Sequence, residues 1–107
     1  MLLSGSVDHS AIVWDAKTFT IRAAFEMHTA PCLDVDWRDS TSFATCSTDG
    51  MVHICQVGRP KPIASIKAHN DEVNAIQWDP QGLLLASCSD DTTTKVSLLL
   101  TQVFSPY

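Results

Sequence analysis

The sequence predicts an all-β chain built from a four-stranded unit that repeats about every 41 residues. The first observation is a short-range alternation of apolar and polar residues, as in residues 73–78, which is the period-two pattern of a strand. The second is that such runs are separated by turns rich in Asp, Gly and Pro. The third is self-similarity, because His28 and His69 are 41 residues apart, and so are Trp37 and Trp78.

The repeat divides the chain into four parts. Residues 28–68 are expected to form one complete unit. Residues 1–27 are expected to supply the last three strands of a preceding unit. Residues 69–96 are expected to supply the first two strands of the following unit and the beginning of its third strand. We expect residues 97–107 to be a divergent tail, because Ser97 replaces a repeated tryptophan and the residues after it lack the features of the unit.

Turn residues set the limits of the predicted strands. In the first unit, a turn at Asp8-His9 separates two strands, and residues 20–25 follow as the outer strand. Gly50 is expected to adopt a positive φ in a tight hairpin, and Asp79-Pro80-Gln81-Gly82 is typical of a turn, since Pro presets φ and Gly tolerates φ > 0. The strands of the complete unit are expected near residues 32–37, 43–47, 52–57 and 63–67.

Polar residues also recur at matching places in the three units. Each unit has a hydroxyl residue four positions before an aspartate, and the second and third units begin with a histidine. A Ser-His-Asp set could indicate nucleophilic catalysis, but an active site is needed once per fold, so we interpret the recurring set as structural. The residues are Ser4, Asp8 and Trp14 in the first unit, His28, Thr45 and Asp49 in the second, and His69, Ser87 and Asp91 in the third.

A period of this length with a His…Trp-Asp signature resembles the WD40-repeat β-propeller family over residues 2–96. The resemblance implies one complete four-stranded antiparallel blade plus two partial blades. It also implies that the recurring residues form a hydrogen-bonded tetrad, which Cys55 and Ser97 leave without its tryptophan in the second and third blades. Since about 4–8 blades close a ring, we expect a propeller fragment, with the remaining blades and the first blade's histidine outside this sequence.

The segments HTAPCLDVDW, SFATCSTD, DEVNAIQWDP and LLASCSDD are similar to the WD part of the transducin-β-like (ebi-like) corepressor subunits. This resemblance implies a non-enzymatic nuclear scaffold, with corepressor and histone deacetylase subunits as partners and histone tails as further candidates. The stretch from Leu2 to Lys17 resembles a box that docks on the adaptor of cullin–RING ubiquitin ligases, although that family prefers Arg at the place of Lys17. A ubiquitin-ligase substrate receptor, or a truncated product without independent function, therefore stays an alternative.

Six charged residues are candidates for partner binding. Asp34 and Asp36 share one face of a strand, and we interpret them as lining a channel or its mouth, because Ala75 and Gln77 replace them in the third unit, which speaks against a paired-carboxylate catalytic site. The full candidate set is Asp15, Lys17, Asp34, Asp36, Arg59 and Lys61.

Composition and motifs argue against nucleic-acid-binding, membrane-spanning and cofactor-dependent proteins. The net charge of −5 without a run of like charges argues against direct nucleic-acid binding, and no apolar run reaches the length of a membrane span. No phosphate-binding loop or cofactor motif is visible. We interpret the four cysteines, which lack CxxC spacing, as reduced core residues of an intracellular protein, and a metal site or disulfide stays open. They are Cys32, Cys46, Cys55 and Cys88.

Overall fold

The computed structural model describes residues 1–26, 28–98 and 103–106, with side chains as far as Thr94. The described residues form three antiparallel sheets that follow one another along the chain, without an α-helix in these ranges. Among them, no helix is long and apolar enough to cross a membrane. The first sheet holds β1 (Leu2–Gly5), β2 (Ala11–Asp15) and β3 (Thr20–Phe25). The second holds β4 (Cys32–Trp37), β5 (Ser42–Ser47), β6 (Met51–Gln56) and β7 (Ala64–Lys67).

The third sheet holds β8 (Val73–Trp78), β9 (Leu84–Ser89), β10 (Thr94–Leu98) and β11 (Val103–Pro106). The predicted all-β antiparallel fold is confirmed, and every strand predicted for the complete unit is present. Within the tail that begins at residue 97, β11 pairs with β10 as the fourth strand of the third sheet. Pairing needs only backbone groups and residues that tolerate extended structure, so the missing repeat features did not prevent it. Met27, Tyr107, residues 99–102 and the side chain of Ser97 lie outside the described part.

The second sheet lies between the other two and is buried on both faces. All six residues of β5 are buried, and alternate side chains point to opposite neighbours. One core cluster joins the second and third sheets and the other joins the first and second. The former consists of Ala44, Cys46, Val52, Ile54, Ala64, Ala68, Val73, Ile76, Trp78 and Leu85. The latter consists of Ala11, Val13, Phe25, Phe43 and Cys55.

Three equivalent turns place a left-handed residue directly after the recurring aspartate. Gly50 has φ +78°, as the sequence predicted. The equivalent residues of the first and third sheets are His9, with φ +77°, and Thr92, with φ +72°. Gly82 has φ +71° in the predicted turn that begins at Asp79. Gly50 faces an additional constraint, because a Cβ atom there would lie 2.5 Å from the carbonyl oxygen of His69.

Replacing Gly50 with Ala is expected to lower the free energy of unfolding by about 2–4 kcal/mol, since the left-handed conformation and the overlap with a backbone atom both oppose a methyl group. Gly58→Ala is the matched control, because Gly58 has φ +95° but open space around it. It should cost only the conformational part, about 1–2 kcal/mol. Urea denaturation of the full chain measures both, and equal losses would contradict the close approach to His69.

Candidate functional site

The recurring histidine of the second sheet is a buried bridge between a turn and a strand. Nδ1 of His28 lies 3.1 Å from Oδ2 of Asp49, and Nε2 lies 2.7 Å from Oγ1 of Thr45. The same carboxylate oxygen accepts a hydrogen bond of 3.1 Å from the backbone N–H of Thr29, and Oδ1 accepts one of 2.8 Å from Met51. The loop that enters β4 is thereby attached to the β5–β6 turn.

The third sheet repeats this arrangement around His69. Nδ1 lies 2.9 Å from Oδ2 of Asp91, and Nε2 lies 2.9 Å from Oγ of Ser87. Thr93 adds a hydroxyl 3.0 Å from Nδ1. His69 is only 2% exposed and His28 only 5%, and neither side chain contributes to that exposure, so neither ring is open to a substrate.

The first sheet contains the tryptophan that the other two lack. Nε1 of Trp14 donates a hydrogen bond of 3.0 Å to Oγ of Ser4. Asp8 is exposed and accepts a hydrogen bond of 3.1 Å from the backbone N–H of Ser10 within its own turn. In the second sheet, Cys55 occupies the register of Trp14 and is fully buried against Phe43 and its neighbours.

The hydrogen-bond roles in the second sheet follow from the ionisation of the two partners. Burial lowers the pKa of His28 below its ordinary value, although Asp49 opposes the shift, so the ring is neutral near pH 7. Burial raises the pKa of Asp49, but hydrogen bonds from Met51, Thr29 and His28 outweigh it and hold the pKa below its ordinary value. A carboxylate only accepts, so Nδ1–H of His28 donates to Asp49, and the hydroxyl of Thr45 donates to Nε2.

A second buried histidine, which the sequence analysis did not single out, packs on the first. The rings of His28 and His53 have centroids 4.6 Å apart, and Nδ1 of His53 lies 2.8 Å from Oγ of Ser65. Burial, with a contribution from His28, lowers the pKa of His53. His53 pairs with Thr45 as Ile12 pairs with Ser4 in the first sheet, so the two residues occupy equivalent positions. A histidine at the position of an isoleucine was the signal in the sequence that could have identified His53.

Asp34 and Asp36 connect consecutive sheets. Oδ2 of Asp34 accepts a hydrogen bond of 3.0 Å from the backbone N–H of Ile76, and Oδ2 of Asp36 accepts one of 2.8 Å from that of Trp78. β8 is an edge strand of its sheet, so these N–H groups have no strand partner on that side. The carboxylates of β4 therefore complete the inner edge of the next sheet.

Arg38 adds a third link between the same two sheets. Its Nε donates a hydrogen bond of 2.6 Å to the carbonyl of Gly82, and its guanidinium lies 5.7 Å from the ring centroid of Trp78. The repeated inner-strand tryptophan thus packs under a cation supplied by the preceding unit.

The other candidate partner-binding residues lie at the surface. Asp15 is half-buried, and its Oδ1 accepts hydrogen bonds from the backbone N–H groups of Lys17 (2.9 Å) and Thr18 (3.3 Å). Lys17, Arg59 and Lys61 are exposed. The structure therefore brings Asp34 and Asp36 together with β8 and leaves the three cations free to meet solvent or a partner.

The four cysteines lie on strands, where Cys32, Cys46 and Cys55 are buried and Cys88 is partly buried. Burial raises the pKa of Cys32 to about 11 and that of Cys55 to about 12, and it raises the pKa of Cys46 as well. Sγ of Cys46 donates to the carbonyl of Val73 at 3.2 Å. In the ranges that the structure describes, no group of three or more His, Cys, Asp or Glu side chains could hold a metal ion.

Comparisons with known proteins bear on this geometry. A family model described as "WD domain, G-beta repeat" matches residues 19–55 and 60–96. The F-box-like/WD repeat-containing protein TBL1X of Mus musculus is 52% identical over 84 residues, which cover 78% of this chain and 16% of that protein. The WD40 repeat-containing protein HOS15 of Arabidopsis thaliana is 54% identical over 72 residues, which cover 67% of this chain and 12% of that protein.

Among solved structures, the WD40 β-propeller domain of Doa1 superposes on the chain with a TM-score of 0.85 and 26% sequence identity. The superposition covers 95% of this chain and 34% of that one. These matches confirm the resemblance to the WD40-repeat family and to the transducin-β-like subunits. The chain spans only a small part of the length of the relatives that it matches.

Replacing Asp36 with Ala is expected to lower the free energy of unfolding of the full chain by about 1–3 kcal/mol, because the N–H of Trp78 loses its acceptor. Asp36→Asn is the matched control, since an amide oxygen can still accept, and it should cost less. Urea denaturation measures both. If both variants unfold at the wild-type midpoint, the hydrogen bond between the sheets does not stabilise the fold.

Two of the buried histidines, His28 and His53, predict acid sensitivity. Their pKa values are lower when folded than the ordinary value of about 6.5 in the unfolded chain. The unfolded state therefore binds more protons as pH falls below 6.5, and stability that is present above that pH is lost on acidification. His53→Ile, which copies the first sheet, should reduce the loss of unfolding free energy between pH 7 and pH 5. Equal losses in variant and wild type, measured by urea denaturation, would contradict this.

Proposed function

The chain belongs to the WD-repeat family, and from this premise we propose that it is part of a non-enzymatic scaffold in a nuclear corepressor–histone deacetylase complex that regulates transcription. The observation that carries the proposal is the 52% identity over 84 residues with an F-box-like/WD repeat-containing protein TBL1X. The chain covers 16% of that relative. The complex, its nuclear location and the scaffold role are therefore proposed for this chain by similarity.

The geometry of the recurring polar set supports a scaffold over an enzyme. Each histidine uses both ring nitrogens to hold a turn to a strand, and the rings of His28 and His69 are buried. A catalytic base needs a position within reach of substrate, which these rings lack. The same arrangement occurs in two sheets, as expected for a brace that each unit requires.

The charge of the chain is compatible with basic protein partners. The net charge is −5, which favours the approach of cationic segments such as histone tails at moderate ionic strength. Corepressor and deacetylase subunits remain the proposed main partners, because they follow from the narrower resemblance.

A ubiquitin-ligase substrate receptor is the second candidate, and the exposed Lys17 favours it. Lys17 follows Trp14-Asp15 on a turn whose backbone is held by the Asp15 carboxylate, and its side chain is exposed there. One observation argues against the ligase function. The indole N–H of Trp14 donates to Ser4 within the first sheet, so the structure of the blade alone accounts for this tryptophan.

The test is capture of deacetylase activity from nuclear extract by the tagged full chain. We expect deacetylase activity and corepressor subunits to be retained on the resin. Gly50→Val is the control for adhesion of unfolded chain, because its side chain cannot fit against the carbonyl of His69. Retention by the wild type and not by this variant supports the proposal, and activity no higher than on empty resin contradicts it.

The same experiment separates the second candidate. Lys17→Glu and Lys61→Glu make the same charge change at two exposed lysines. If a cullin–RING adaptor is captured without deacetylase, and is lost with Lys17→Glu but not with Lys61→Glu, the ligase function replaces the scaffold in transcriptional repression.

A further inference from the structure

A groove runs between the outer strand of the first sheet and the loop that follows β6 in the second. Residues 22–25 form one wall and residues 57–60 the other, and the open groove between them has a volume of about 410 Å³. We call it the outer groove. A volume of this size is within the range of binding clefts. Both walls belong to consecutive sheets of this chain, so a further blade packed beyond the first or third sheet would not cover it.

Each wall of the outer groove contributes one exposed arginine. Arg22 lies on β3 and Arg59 on the loop. In the described part of the chain, no carboxylate lies within ion-pair distance of either guanidinium. Asp15 is close enough to feel the charge of Arg22, but its Oδ1 accepts from backbone N–H groups. On a chain with a net charge of −5, the outer groove is thus a local cationic site without an internal partner.

The β3 wall offers backbone groups as well as charge. β3 is the edge strand of its sheet, so one side of its backbone has no strand partner. Successive side chains of a strand point to opposite faces, and a groove lined by four consecutive residues therefore runs along the edge and not across one face. An extended peptide can pair with such an edge.

The register explains why Arg22 is available. Val13 pairs with Ala23 and Trp14 with Ile21, so Arg22 is the extra residue of a β-bulge. A bulge redirects a side chain and interrupts regular pairing at an edge. Because the bulge interrupts backbone pairing, this edge does not pair with any extended peptide by backbone hydrogen bonds alone. A peptide that binds here also needs favourable interactions with the charged side chains.

We propose that the outer groove docks an extended acidic segment of a partner protein, with its backbone along residues 23–25 and its carboxylates on Arg22 and Arg59. A nucleic acid fits less well, because two cations on an acidic chain do not offset the repulsion of a polyanion. The use of such docking in the cell rests on the scaffold function proposed above. The binding itself is a property of this chain.

The test uses a short fluorescein-labelled peptide of alternating valine and glutamate, titrated with the full chain and followed by fluorescence polarisation. We expect saturable binding that weakens with added salt, and weaker binding of the matched valine–glutamine peptide. Arg22→Gln and Arg59→Gln should each weaken binding about two- to fivefold, as for exposed charge pairs. Ala24→Glu, which puts a carboxylate in the groove, should weaken it as well. Lys17→Gln removes one charge outside the groove and should leave the affinity unchanged.

Three results would overturn the proposal. The first is equal affinity for the glutamate and glutamine peptides. The second is an equal effect of Lys17→Gln and the two arginine variants, which would mean attraction by overall charge. The third is tighter binding of a single-stranded oligonucleotide than of the acidic peptide, which would assign the groove to nucleic acid.

The outcome is separable from that of the scaffold function. Loss of peptide binding in a chain that still retains deacetylase activity refutes only the outer groove. Peptide binding that depends on Arg22 and Arg59, in a chain that retains no deacetylase, supports the groove and refutes the complex proposed for it.

Discussion

The fold depends on a buried imidazole that joins a turn carboxylate to a strand hydroxyl. His28 and His69 each lie on the loop that leads from the last strand of one sheet to the first strand of the next. Both ring nitrogens of each histidine lie within hydrogen-bond distance of residues in that next sheet. The two nitrogens lie on opposite edges of a rigid ring, so one side chain fixes the distance between turn and strand. In a dry interior such a network contributes more than its separate bonds suggest, and leaving one partner unsatisfied costs more than the bond itself contributes.

Sheets are joined to each other by different chemistry from that which braces each one. The second sheet packs apolar side chains on both neighbours, while Asp34, Asp36 and Arg38 reach across to the backbone of the third. Apolar contact supplies most of the attraction without fixing register. The hydrogen bonds from β4 to β8 supply that register, because each carboxylate meets one particular N–H group.

Most strands could be predicted from the sequence because turn residues limit them locally. Gly50 lies where a positive φ was predicted. What could not be predicted depends on contacts between distant residues or on backbone alone. The N–H groups of β8 that bind Asp34 and Asp36 lie a whole repeat later in the chain. The bulge at Arg22 is an extra residue within an ordinary strand pattern, and β11 needs no signature residue. The sequence distinguished His53 only because a histidine replaces the isoleucine found at the equivalent position, Ile12, of the first sheet.

The carboxylates of β4 also limit how the repeats can be recombined. The third unit carries Ala75 and Gln77 at the places of Asp34 and Asp36, so it lacks the two anionic acceptors that the second offers to the unit after it. Copies of the second and third units are therefore not interchangeable modules, although they share nearly the same brace. A duplication or shuffling event that separated the second unit from its successor would leave two bare amides on an inner strand, and successful rearrangements should move this pair as one block.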